Sequence, residues 1–198
     1  MDKIIPGVVA ELNTIRPDLD LGIFNRVSSK KLYYTLRAGQ LDIIIGTEQP
    51  DHNDEDVEFI FLNEDVHAVI VRKKHPLLKK RKIVLDDFES YGWVLREEGT
   101  LYRQRLESIY AEHKKALPNP AIQTNSIPFT LATVSATDYL SAARQADIKA
   151  MEHKDIVMLD PPFRWTRNVG VMRRRNEPLS GAGLDFIDRL KSHVAKTL

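Results

Sequence analysis

The side chains best equipped for chemistry in this chain are scattered and do not assemble into a reactive set. Six histidines occur without a His-Glu-x-x-His pair to seat zinc. No Gly-x-Ser-x-Gly elbow presents a nucleophile, and no Gly-x-x-x-x-Gly-Lys loop cradles a phosphate. The absence of cysteine removes thiolate catalysis, disulfides and cysteine-ligated metal sites. Gly181-Ala182-Gly183 precedes a helix, but Phe186 stands where a dinucleotide loop needs its third glycine. The acidic stretch Asp51 to Glu58 has Asp56 where a calcium loop needs glycine and Leu62 where it needs glutamate, so it reads as a surface loop. Asp86 and Asp87 are adjacent and read as a helix start. No nucleophile and base can be paired, so no enzyme, no metal and no cofactor is expected.

The elements that position the remaining polar groups alternate between helix and strand. Ile4, Ile5, Val8, Val9, Leu12 and Ile15 recur at helical spacing until Pro17. Leu19 to Phe24 is short and apolar and predicts a strand. Ser28 or Ser29 can cap a helix that carries Leu32 and Leu36 and stops at Gly39. Ile43, Ile44 and Ile45 then run without alternation, which predicts a parallel strand covered on both faces. Further strands are predicted at Val66–Val71, Trp93–Leu95, Ile122–Thr124, Ile156–Leu159 and Val169–Met172. Helices are predicted after Thr100, carrying Leu101, Leu106, Ile109 and Tyr110, and from Ser126 through Thr130 to Val134. Ser180 caps a last helix with Leu184, Ile187, Leu190 and Val194 along one stripe.

Composition bounds the function. The 198 residues are 42% hydrophobic, enough for one core or two small lobes. With 29 basic against 28 acidic residues the net charge is +1, which argues against nucleic-acid binding by these residues alone. No apolar stretch has bilayer length and no signal core follows the N-terminus, so a soluble, cytoplasmic protein is expected.

Leu36 to Gly46, LRAGQLDIIIG, is a helix ending in Leu-x-x-Gly, then Leu-Asp and an aliphatic strand. Taken with His75-Pro76-Leu77 and with Trp93-Val94-Leu95 followed by Arg103, it resembles the effector-binding domain of the LysR-type transcriptional regulators. The elements follow in family order along essentially the whole chain. Thr137 and Tyr139 depart from the glycines usual at their positions. The family's domain also begins with a strand ahead of the first helix, lying between the strands expected at 19–24 and 41–45. The expectation is therefore that Met1 is not a natural start or that residues upstream of it are missing from this numbering.

The resemblance implies an α/β, type 2 periplasmic-binding-protein-like fold: two α/β lobes with mostly parallel sheets and an interlobe cleft. Lobe I would be 1–73 and 167–198, and lobe II 74–166. It implies a small-molecule effector, a homodimer or tetramer, and DNA held only through an upstream helix-turn-helix. The effector-binding candidates are Ser28, Ser29 and Thr47 from lobe I, and Gly99, Thr100, Arg103, Asn125 and Ser126 from lobe II. Helix N-termini and strand ends offer free N–H groups there. Ser29, Thr100 and Ser126 have a plainer reading as caps, and Arg103, one turn into its helix, a plainer reading as solvent-facing. Arg96 and Arg103 favour an anion, whereas Glu97 and Glu98 argue the other way, and Arg96, Glu97 and Glu98 together also read as a solvated loop. Trp93 and Trp165 read as pocket lining or, more commonly, core. Ile5, Val9 and Leu12 form a candidate edge for a partner subunit, or an ordinary face packed on the sheet. The alternative function is a free-standing solute-binding protein of the periplasmic type.

Overall fold

In chain order the elements are α1 (Ile4–Ile15), α2 (Ser29–Arg37), β1 (Ile43–Thr47), β2 (Val57–Arg72), β3 (Val94–Leu95), α3 (Leu101–Glu112), β4 (Ile122–Gln123), α4 (Ile127–Ala136), β5 (Ser141–Arg144), α5 (Gln145–Ala150), β6 (Ile156–Met158), β7 (Arg164–Arg174) and α6 (Gly181–Thr197). They come from a computed structural model that describes residues 4–24, 29–48 and 55–197. The chain divides into one unit of 1–64 with 167–198 and a second of 65–166. The first boundary falls at 64/65 and not after residue 73. The reason is that β2 is one continuous strand whose second half, from His67 to Arg72, pairs inside the second unit.

In the first unit β7 lies between β1 and β2. Side chains alternate across that sheet, so its two faces need separate covers. Val171 meets Val8 and Leu12 of α1 and Ile187, Leu190 and Val194 of α6, with Ile43 and Ile45 at the margin. On the other face Met172 and Ile44 meet Leu36 and Val57. The isoleucine run is thus covered on both sides, as its lack of alternation requires. Its expected parallel partner is corrected: the described neighbour is β7, which runs antiparallel from Ile43 opposite Arg173 to Thr47 opposite Val169. Gly39, at φ +71, makes the left-handed stop after α2. Arg174 Nη1 donates to the carbonyls of Leu36 and Leu41 at 2.7 and 2.5 Å, satisfying that helix end.

Leu19–Phe24 forms no strand, and Ile23 and Phe24 are each 60% exposed. Among the described residues no strand lies alongside it to supply a ladder, and an apolar sequence alone does not satisfy backbone groups. Leu12 is buried in the first unit's core, so it is withdrawn as a partner-facing residue; Ile5 and Val9 keep part of their surface. Asp51–Asp54 lie outside the described residues.

In the second unit β2 pairs antiparallel with β5 and β6, while β3 and β4 are parallel. A parallel bridge from Trp93 to Leu140 joins β3 to the approach of β5. Val69 and Val71 face a core of Phe88, Trp93, Leu106, Ile109 and Tyr110, and Ile70 faces Leu131 and Val134 of α4. Trp93 is fully buried between Phe88 and Tyr110, which settles it as core. Tyr139, in place of a glycine, is accommodated because Gly92 has no side chain: a Cβ there would lie 2.8 Å from the tyrosine ring.

Burial pushes the Tyr110 hydroxyl up to about 12. Its raised value means the native contribution is complete below pH ~10 and is lost as the pH climbs through the folded value. Unfolding free energy is therefore expected to fall by about 1.4 kcal/mol per pH unit per buried tyrosine between pH ~10 and ~12. Urea titrations across that range should show the slope, and Tyr110→Phe should flatten part of it. An identical slope in the variant would count against the assignment.

Candidate functional site

Because β3 and β4 are parallel, the chain leaves both at the same end, and each exit leads into a helix. Arg96–Thr100 feeds α3 and Thr124–Ser126 feeds α4, so two helix N-termini are delivered to one end of the second unit. The loops are tied together: Thr124 N donates to the Leu95 carbonyl at 2.9 Å, and Glu97 N donates to Asn125 Oδ1 at 3.4 Å. Sequence reasoning placed Gly99, Thr100, Asn125 and Ser126 together, and the geometry of this unit brings their loops side by side.

The two helix starts differ. Ser126 is a side-chain cap, its Oγ accepting from Phe129 N at 3.4 Å. Thr100 occupies the cap position of α3, but its hydroxyl donates back to the Glu97 carbonyl at 2.8 Å and does not itself cap the helix. A helix start, with the helix dipole behind it, favours an anion. Gly99, at φ +75, makes the turn that allows this, in a conformation that side-chain-bearing residues resist.

Arg103 is corrected from solvent-facing to buried: its side chain is 8% exposed. Its Nε donates to Glu107 Oε1 at 2.9 Å, and neither Nη carries a hydrogen bond among the described residues. Arg96, which also read as part of a solvated loop, is half-buried with its Cζ 4.1 Å from the centre of the Tyr102 ring. Tyr102 touches His67 edge-on at 5.1 Å, and His67 stacks on Trp165 at 5.9 Å. Burial raises the Tyr102 pKa.

Sequence reasoning missed the neighbouring ion network. Arg144 donates to both oxygens of Asp147, at 3.1 and 2.5 Å, and to Asp65 at 3.3 Å. Burial opposes the Arg144 charge, but these carboxylates outweigh it and hold the pKa above its usual value. The Arg-x-x-Asp spacing at a helix start was the available signal. In the first unit, Ser29 is the first residue of α2 and Thr47 the last of β1, half-buried; Ser28 lies outside the described residues. Among the described residues no cluster of His, Asp and Glu is arranged to hold a metal ion, and no helix is long and apolar enough to cross a membrane.

Residues 1–195 match the family described as the LysR substrate binding domain. The chain belongs to that family. This LysR domain is 26% identical to the HTH-type transcriptional regulator GbpR of Rhizobium radiobacter over 160 residues, covering 81% of the chain and 52% of that protein. It is 25% identical to the HTH-type transcriptional regulator GalR of Pseudomonas putida over 141 residues, 71% of the chain and 35% of GalR. The chain thus spans about half or less of the length of these relatives. Among solved structures, the Synechocystis CcmR regulatory domain in complex with 2-PG superposes with a TM-score of 0.78 at 19% identity, covering 96% of this chain and 91% of that one. The QuiR effector-binding domain in complex with shikimate gives 0.74 at 21% identity, covering 97% and 90%. At that identity the likeness establishes the fold, the type 2 periplasmic-binding-protein-like arrangement of the LysR domains.

Proposed function

We propose that this LysR domain is the effector sensor of a transcriptional regulator and that its effector is a small organic carboxylate. The observation that carries the carboxylate is the buried Arg103 in the first turn of α3, whose guanidinium is hydrogen-bonded through Nε alone among the described residues, at a helix start that the Thr100 side chain does not cap. Asn125 and Ser126 are proposed as further contacts in the second unit, and Ser28, Ser29 and Thr47 as contacts from the first. Shikimate and benzoate, named with structures that share the fold, are both carboxylates. Names of the relatives favour a regulator over a free-standing solute-binding protein.

Sensing would follow from differential affinity. An effector that binds one conformation of the domain more tightly than another shifts the population by the ratio of the two affinities, and equal affinity shifts nothing. In the whole protein that shift would reach DNA through a helix-turn-helix outside these residues, within a dimer or tetramer in the cytoplasm.

A thermal-shift screen of small carboxylates, sugars and aromatic acids tests the reading. At a hundredfold excess over Kd a true effector stabilises by about 2.7 kcal/mol, which in a domain of this size raises Tm by about 5 °C or more. Thr100→Val and Ser29→Ala should reduce that rise. A screen without any stabilising acid would overturn the carboxylate assignment, and undiminished shifts in both variants would remove the named contacts.

A further inference from the structure

We propose that the exposed basic knuckle at Lys73–Lys82 is a non-specific contact for the phosphate backbone of duplex DNA. The near-neutral total charge hides a segregation. Arg72 to Lys82 reads RKKHPLLKKRK, with seven Lys and Arg and no acid, leaving 22 basic against 28 acidic residues elsewhere. One stretch of eleven residues therefore carries a positive charge that the remainder of the chain does not share.

The structure shows how little of that charge is used internally. Arg72 donates to Asp138 at 2.7 Å, and Lys80 pairs with Asp87. Lys73, Lys74, Lys79, Arg81 and Lys82 are all exposed, and none has a side-chain hydrogen bond or ion pair among the described residues. The nearby acids are engaged elsewhere. Asp86 and Glu89 both accept from Lys115, and Asp155 accepts from Ser135.

The backbone between the two basic clusters is anchored. His75 is 1% exposed; its Nδ1 accepts from Leu77 N at 3.1 Å, so Nε2 carries the proton and donates to the Asp138 carbonyl at 3.0 Å. Leu77 is equally buried, and the turn Pro76–Lys79 closes with Lys80 N donating to the Leu77 carbonyl. Lys73 N is held by the Asp155 carbonyl at 2.5 Å. The cations thus project from a fixed frame, and binding orders side chains without ordering the chain.

The kind of polyanion follows from what surrounds these charges. No Phe, Tyr or Trp occurs among Arg72–Lys82, and of the rings that follow in sequence Phe88 is buried and Tyr91 packs on His75 at 4.5 Å. Base stacking, on which single-strand binders depend, has no platform here. An array of exposed cations without stacking rings suits phosphates and reads no sequence. The contact would add to DNA held by the helix-turn-helix of the whole protein, and it is independent of effector binding, which the thermal shift reads separately.

The test is fluorescence anisotropy of a labelled random-sequence 30-bp duplex titrated with the 198-residue chain over a range of NaCl. Engagement of about five phosphates gives a slope of log K against log salt of about −4.5. Changing Lys73, Lys74, Lys79, Arg81 and Lys82 together to glutamine, which spares the Lys80 and Arg72 pairs, should bring the slope close to zero and weaken low-salt binding at least tenfold. Should that variant melt early, Lys79→Gln with Arg81→Gln and Lys82→Gln should still remove more than half of the slope. A control with Lys114, Lys149, Lys191 and Lys196 changed to glutamine should keep most of it. No binding at low salt, an equal loss in the control, or tighter binding of poly-glutamate than of DNA would overturn the proposal.

Discussion

Gly170→Ala is expected to destabilise the first unit by about 3 kcal/mol or more, whereas Gly46→Ala, directly across the same ladder, should cost less than about 1 kcal/mol. The two glycines face each other in the pairing of β1 with β7, so backbone entropy affects both alike. Their surroundings do not. A Cβ on Gly170 would lie 2.4 Å from the Ile60 carbonyl oxygen and 2.5 Å from the Phe59 ring. The carbonyl is backbone and cannot turn aside, so β2 would have to move and disturb the packing of Ile60 and Phe59 on opposite faces of the sheet. At Gly46 the nearest atom is the flexible end of Met172, at 3.5 Å, an ordinary contact. Urea unfolding of the two variants decides the matter. Equal losses would show that close approach of β7 and β2 is not what demands glycine.

The second large effect concerns binding. Arg103→Gln should weaken the best carboxylate of the screen by about a hundredfold, roughly 2.7 kcal/mol, in keeping with loss of a charge-assisted and water-shielded interaction. The fold should survive, because Glu107 is 45% exposed and loses only a partner it can replace with water. Arg103→Lys should fall between, since it keeps the charge and loses the planar fork. Titration calorimetry measures all three proteins. Unchanged affinity in Arg103→Gln would leave Arg103 a packing residue and move the anion elsewhere.

The parts of the site that sequence reasoning reached are those governed by short-range rules. Ser126 and Ser180 both cap helices, through Phe129 N and Gly183 N, because capping involves a hydroxyl and an amide three residues on. The parts it missed depend on which side chains tertiary packing brings together, even where, as with Arg144 and Asp147, a local spacing was there to be read. Arg96 reads as solvated among Glu97 and Glu98 until Tyr102 supplies a ring beneath it. Arg103 reads as exposed because the first turn of a helix says nothing about what packs against it. Arg144 reaches Asp65 across 79 positions, beyond any local pattern.

The same division runs through the fold. By itself the sequence determined that Leu36–Gly46 is a helix, a left-handed stop and a two-faced strand, and, through the resemblance of that segment and its successors, the family. Those properties follow from side-chain spacing and from the freedom of one glycine. The tertiary structure alone decided that β1 runs antiparallel to β7, that Leu19–Phe24 stays out of the sheet, and that β2 continues unbroken from one unit into the other. Strand direction and membership rest on backbone hydrogen bonds between distant segments, and those bonds leave no mark on the side-chain pattern of either partner.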